Sequence, residues 1–63
     1  MSIETNTRKI TTRLKLEGWK IIHGGRHDKY ERPARPEITL IVPRHREVSS
    51  GVARDIAQKA EWI

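Results

Sequence analysis

The sequence predicts an α+β fold with the element order α-β-β-β-α, in which two helices cover one face of a three-stranded antiparallel sheet. Three observations predict this fold. Apolar residues recur at helical spacing near both ends of the chain. Between those segments, runs rich in β-branched and aromatic residues alternate with a period of two. A glycine pair and a proline-containing loop separate these runs, and no linker or internal repeat divides residues 1–63. We therefore expect one domain.

The first helix is predicted from its cap and its apolar spacing. Asn6 or Thr7 can accept a hydrogen bond from an unpaired amide of the first turn. Ile10 and Leu14 then recur at i and i+4 among basic residues, which is typical of an amphipathic helix. Gly18 suits the left-handed residue that commonly ends a helix. The residues before the cap are expected to be loosely held.

Three strands are predicted to follow. We expect the first strand over residues 19–23, and Gly24-Gly25 predicts a hairpin turn because both residues tolerate positive φ. We expect the returning strand over residues 26–32. Two prolines predict a loop over 33–36, since proline cannot donate to a strand ladder. Residues 37–42 have the strongest strand pattern of the chain.

Alternation along the strands decides which residues face the helices. Tyr30 is the one large side chain of the second strand, so its face is predicted to be buried and His27 to lie on the opposite, open face. The predicted open face consists of Lys20, Ile22, His27, Lys29, Glu31, Thr39 and Ile41.

The second helix is predicted to be capped by Ser49 or Ser50. Its apolar residues recur at i, i+4, i+7 or i+8 and i+11, which gives a one-sided stripe. The stripe consists of Val52, Ile56, Lys59 or Ala60, and Ile63.

Composition restricts the class of partner. A 63-residue chain without cysteine has a thin core and no disulfide or thiolate metal site. Thirteen Lys and Arg against eight Asp and Glu give a net charge of +5, which favours nucleic acid, an anionic membrane or an acidic protein as partner. No apolar run approaches the ~20 residues that span a bilayer, and the N-terminal segment lacks the pattern of a signal peptide. We expect a cytoplasmic protein that does not bind membranes.

His27 on a face that carries lysines suits the cleavage of RNA. Lysine and arginine neutralise phosphates without base preference, and a histidine with a pKa near ~6.5 can transfer protons at cellular pH. RNA supplies its own nucleophile, the 2′-hydroxyl, so a base and a stabilising cation suffice for cleavage to a 2′,3′-cyclic phosphate and a 5′-hydroxyl. The histidines and carboxylates lack a metal-binding spacing, and we expect no metal or cofactor.

Other interpretations compete at each of these positions. A surface histidine is far more often a solvated bystander than a catalyst. His23 is interpreted as structural or as a rim contact, and His45 as a phosphate contact or as an anchor of the loop before the second helix. Ile22 and Ile41 are either a partner surface or isolated exposed apolar residues, which are common.

Four features occur in order along the chain. Gly18-Trp19 follows the first helix, and Gly25-Arg26-His27 is followed three residues later by Tyr30. Val42-Pro43-Arg44-His45 ends the third strand, and a short final helix follows. Together these features resemble the HicA toxin family, which has Gly-Trp, Gly-Ser-His with an aromatic residue, and Val-Pro-x-His in this order and cleaves mRNA as one half of a HicA–HicB toxin–antitoxin pair. Arg26 replaces the family's serine, and Glu61 stands where the family commonly has glycine.

The resemblance implies a double-stranded-RNA-binding-domain-like fold and a metal-independent mRNA endoribonuclease with His27 as its catalytic residue. It also implies a HicB-type antitoxin that covers His27, Ile22 and Ile41, and a free toxin that is monomeric. Two alternatives remain: a non-catalytic RNA-binding module with a basic sheet face, and a structural subunit that depends on its partner. The predicted RNA-binding residues are Lys20, Arg26, Lys29, Arg44, His45 and Arg46.

Overall fold

The computed structural model describes residues 3–63, and the side chains of all of these except His23 and Gly24. The elements are α1 (Thr7–Leu16), β1 (Lys20–Gly24), β2 (His27–Arg32), β3 (Arg35–Pro43) and α2 (Ser50–Lys59). The three strands form one antiparallel sheet in the order β1-β2-β3, with β2 in the centre. The predicted α-β-β-β-α fold is confirmed. Neither of the helices in the described residues has the length and apolar character that crossing a bilayer requires.

Helix α1 begins and ends with well-defined caps. The side chain of Asn6 accepts a hydrogen bond of 3.0 Å from the backbone N–H of Lys9. At the other end Gly18 has φ +91, and the N–H of Trp19 donates to the carbonyl of Leu14 at 3.0 Å. This is the six-residue closure of a Schellman motif, and it places the Trp19 side chain in the core.

The β1–β2 hairpin turns one residue later than predicted. Gly24 pairs with His27, so the two turn residues are Gly25 and Arg26. Gly25 has φ +55, and the first position of a type II′ hairpin turn needs such a positive value. The second glycine of the pair therefore provides the turn, while the first extends β1.

The predicted loop over residues 33–36 is shorter in the structure. Pro33 and Ala34 form the turn, and β3 already begins at Arg35, which pairs with Arg32. The register then shifts, because Glu31 pairs with Thr39 and leaves residues 36–38 bulged on β3. Pro36 lies in this bulge on an edge strand, where its missing N–H leaves no ladder bond unmade.

Both helices pack on the same face of the sheet. The largest fully buried side chains come from α1, β2, β3 and α2 and join in one core, against which the partly buried Ile21 of β1 packs. Ile56 and Ala60 are 1% and 4% exposed and Val52 is half-buried, so the predicted stripe of α2 is buried up to Ala60. Ser49 caps this helix through a 3.2 Å hydrogen bond from the N–H of Val52. Ile63 does not continue the stripe, since it is 62% exposed.

The chain turns away from α2 at Glu61, which has φ +64 and stands at a second Schellman closure. As a result Trp62, rather than Ile63, contacts α1. Its indole N–H donates to the Glu17 carboxylate at 2.6 Å, and the Arg13 guanidinium lies 4.2 Å from the centre of its ring. The Trp62 hydrogen bond, followed by that of Arg13, lowers the pKa of Glu17 against the opposing effect of burial.

Candidate functional site

The open face of the sheet consists of three rows of side chains set by the strand register. Lys20, Glu31 and Thr39 form the first row. The second row has Lys29 in its centre, and the third row has His27 on the central strand. All of the predicted open-face residues are exposed except Thr39, which is half-buried. The alternation that predicted this face therefore holds in the structure.

His27 lies at the hairpin end of the open face. It is the first residue of β2, and its cross-strand partners are Gly24 and Pro43. Neither partner carries a long side chain that could cover the imidazole, and His27 is exposed. The imidazole is therefore accessible to a substrate.

Lys29 is the cation nearest to His27 on this face. Two residues along a strand place their Cα atoms about 6.8 Å apart, and side chains at i and i+2 point the same way. Ile22 and Ile41 lie directly opposite Lys29 on the two neighbouring strands and are 46% and 51% exposed. One cation is thus flanked by two exposed β-branched side chains.

The open face itself carries little net charge. Its two lysines face one carboxylate, that of Glu31, which accepts a hydrogen bond of 3.4 Å from the Thr39 hydroxyl. Arg26 adds a further positive charge from the hairpin turn beside His27. The sheet surface is therefore only weakly basic.

Three of the six predicted RNA-binding residues lie elsewhere. Arg44 follows Pro43, and its guanidinium bonds to the Asp28 carboxylate at 3.0 Å on the helix-covered side of the sheet. His45 and Arg46 line the same cleft as this ion pair. The structure thus places Lys20 and Lys29 on the same face of the sheet as His27, and Arg26 in the hairpin turn next to it. The other three predicted residues lie around the end of the sheet: Arg44, His45 and Arg46.

The cleft also contains residues whose function the sequence did not indicate. Arg8, Thr11 and Lys15 line it from α1. Of the three, the sequence pattern assigns the basic Arg8 and Lys15 only to the polar side of an amphipathic helix. Their spacing of i, i+3 and i+7 places them on one face of the helix, and this is the signal that could have identified them.

Tyr30 lies on the floor of this cleft. Its ring is 1% exposed, and burial raises the pKa of its hydroxyl, with the charge of Asp28 adding to the effect. The phenol is therefore a neutral hydrogen-bonding group across the physiological pH range.

No cluster of three or more His, Cys, Asp or Glu side chains that could hold a metal ion occurs among the described residues. The side chain of His23, interpreted as structural or as a rim contact, lies outside the described part of the chain. Its backbone pairs with Asp28 in the hairpin.

Comparison with models of known protein families identifies the family of this chain. A family model described as the HicA toxin of bacterial toxin–antitoxin systems matches residues 7–62 of the 63-residue chain. No curated protein and no solved structure matches the chain. The matched range includes both helices, the whole sheet and every residue of the open face.

Proposed function

Because the chain belongs to the HicA family of toxins from bacterial toxin–antitoxin systems, we propose that it is a metal-independent endoribonuclease that cleaves mRNA in the cytoplasm. The observation that carries the proposal is the place of His27: exposed, at the end of the open face, with Lys29 beside it. A proton-transfer group next to a fixed cation is what cleavage of an RNA phosphodiester requires.

In the proposed reaction the neutral imidazole of His27 accepts the proton of a ribose 2′-hydroxyl. The 2′-oxygen attacks the adjacent phosphorus, and the bond from phosphorus to the 5′-oxygen breaks. The imidazolium, or water, returns a proton to that 5′-oxygen. The products are a 2′,3′-cyclic phosphate and a 5′-hydroxyl, and the Lys29 ammonium stabilises the charge that develops on the phosphoryl oxygens.

We assign the antitoxin contact to the apolar pair that flanks Lys29. Fully burying an aliphatic side chain contributes about 1.5–3 kcal/mol, and Ile22 and Ile41 are both about half exposed. A HicB-type antitoxin that covers them would also cover His27, which lies one row away. Binding and inhibition would then be the same event, and the free toxin would be a monomer with this face uncovered.

Expression of the wild type, His27→Ala and Arg54→Ala in a bacterial host tests the proposal. Arg54 is the control, since its exposed side chain on α2 lies away from both the open face and the cleft lined by His45 and Arg46. We expect growth arrest with mRNA decay from the wild type and from Arg54→Ala, and neither effect from His27→Ala. Circular dichroism of the purified variants should show an unchanged fold.

Other outcomes exclude the proposal in different ways. Arrest by His27→Ala would place the activity away from this histidine. Folded wild type that binds RNA but never cleaves it would instead favour the alternative of a non-catalytic RNA-binding module.

A further inference from the structure

A cleft of about 570 Å³ lies on the side of the sheet opposite His27. Helix α1 forms one wall, the segment after β3 forms the other, and helix-facing residues of β1 and β2 form the floor. The lining residues used below are Thr7, Arg8, Lys15, Tyr30, Arg44 and Arg46.

Backbone hydrogen bonds fix the two walls relative to each other. The N–H of Thr7 donates to the carbonyl of Arg46 at 3.0 Å, and the N–H of Val48 donates to the carbonyl of Thr5 at 2.9 Å. These bonds join the start of α1 to the segment after β3 on both sides of the helix cap. The cleft is therefore formed before any ligand binds, which lowers the cost of binding.

The cleft carries more positive charge than the open face does. Four Lys and Arg side chains line it against the single carboxylate of Asp28. That carboxylate is bonded to Arg44 at 3.0 Å. Within residues 3–63, Arg8, Lys15 and Arg46 form no ion pair, so three cations face the cleft without a counter-charge.

We infer that this cleft binds the phosphodiester backbone of RNA, beside the strand segment that is cleaved at His27. Guanidinium groups match the geometry of phosphate oxygens and bind them through paired N–H donors. Two hydroxyls lie in the lining: that of Tyr30, which is buried and already hydrogen-bonded to Thr11, and that of Thr7, whose Oγ1 has no partner among the described residues.

The number of donors distinguishes RNA from an acidic protein. One carboxylate has two oxygens and is satisfied by one arginine. The cleft offers three cations along its length that form no ion pair among the described side chains, which suits the regularly spaced phosphates of a nucleic-acid strand. Such contacts hold a strand without reading its bases.

The cleft adjoins His27 around the end of the sheet. Pro43 pairs with His27, and the next residue, Arg44, extends into the cleft. A cross-strand pair is about 5 Å apart between Cα atoms and consecutive residues about 3.8 Å, so the Cα atoms of His27 and Arg44 lie within about 9 Å. An RNA strand held in the cleft can therefore reach the imidazole by passing around this end of the sheet. This inference rests on the proposed function, since it assigns a second contact to the same substrate.

Binding of a labelled single-stranded RNA tests the inference, measured in the His27→Ala background so that the RNA is not cleaved. The test variant is Lys15→Ala/Arg46→Ala, which removes two cleft cations. The control is Lys9→Ala/Arg54→Ala, which removes the same charge from exposed positions outside the cleft. We expect the test variant to bind at least 10-fold more weakly than the control. Its salt dependence, d log K/d log[salt], should be less steep by about 1.4, since each phosphate contact on a single strand contributes about 0.7.

Equal RNA affinity and equal salt slope in the two double variants would overturn the inference. Weaker binding of a poly-glutamate peptide by the test variant, with RNA affinity unchanged, would overturn it in favour of an acidic protein. Neither result bears on cleavage, because His27-dependent cleavage is measured separately. Conversely, a cleft-dependent RNA affinity in a chain that never cleaves RNA would support the cleft and refute the enzyme.

Discussion

Replacing Trp62 with phenylalanine should destabilise the protein in a pH-dependent way. The change keeps an aromatic ring beside Arg13 but removes the indole N–H that donates to Glu17 at 2.6 Å. A hydrogen bond to a charged group contributes about 1.5–3 kcal/mol. The Glu17 side chain is 34% exposed, so solvent screening reduces the expected loss to about 1 kcal/mol.

The pH dependence follows from the lowered pKa of Glu17, whose first cause is the Trp62 hydrogen bond. A carboxyl group with a depressed folded-state pKa contributes stability above its unfolded pKa of about 4.3. That contribution is lost as the pH falls through the folded-state pKa. Trp62→Phe should therefore cost about 1 kcal/mol more at pH 7 than at a pH below the folded-state pKa of Glu17, where the carboxyl is protonated in both states.

Urea denaturation at both pH values measures the effect. Thermal unfolding gives a second measurement. A 63-residue domain has an unfolding entropy of roughly 0.13 kcal/mol/K, at about 2.1 cal/mol/K per residue, so a loss of 1 kcal/mol lowers Tm by about 8 °C. A double-mutant cycle with Glu17→Gln should give a coupling energy near 1 kcal/mol at pH 7 and near zero at a pH below the folded-state pKa of Glu17. Equal losses at the two pH values, or no coupling at pH 7, would refute the reasoning.

Three further predictions concern backbone conformation and the buried phenol. Glu61→Gly should raise the free energy of unfolding by about 0.5–1 kcal/mol in urea denaturation. The reason is that relief of the left-handed φ of +64 exceeds the loss of an exposed ion pair to Arg35. Glu61→Gln keeps the left-handed backbone conformation and should not stabilise the protein. Gly25→Ala should destabilise the protein by about 1 kcal/mol, because φ is +55 at this position. Gly51→Ala should stabilise it by up to about 1 kcal/mol, because Gly51 lies in α2 and the added Cβ has nothing within 4 Å. A stabilised Gly25→Ala would contradict the hairpin geometry. Tyr30 has a raised pKa, so its contribution to the free energy of unfolding is complete below about pH 10 and is lost as the pH rises through the folded-state pKa. The free energy of unfolding, measured at increasing alkaline pH, should therefore fall less in Tyr30→Phe than in the wild type. Identical curves for the two proteins would contradict this prediction.

The structure brings together groups that the sequence presents as isolated features. Glu17 is an unfavourable charge at a helix C-terminus when the helix is considered alone. In the folded protein the Arg13 guanidinium and the Trp62 indole N–H both bond to this carboxylate and stabilise its charge, and Trp62 lies 45 positions away in the chain. Asp28 likewise orients Arg44, which is 16 positions away, into the cleft.

The open face and the place of His27 follow from the sequence alone. The side chains of a strand alternate with a period of two, so one buried residue, Tyr30, decides the face of every neighbour on β2. The caps at Asn6 and Ser49 are equally local, since each needs only the first turn of its own helix. Features that depend on a few consecutive residues are determined before the chain folds.

Only the tertiary structure decided how the basic residues divide between two surfaces. The direction of Arg44, His45 and Arg46 depends on where the segment after β3 meets α1, and backbone hydrogen bonds to residues about 40 positions earlier in the chain set that contact. The exposure of Ile63 is decided in the same way, since the chain reverses at Glu61 and Trp62 takes the place on α1. The spacing of residues in the sequence determines which side chains share one face of a helix or strand. Contacts between distant segments depend instead on how the whole core packs.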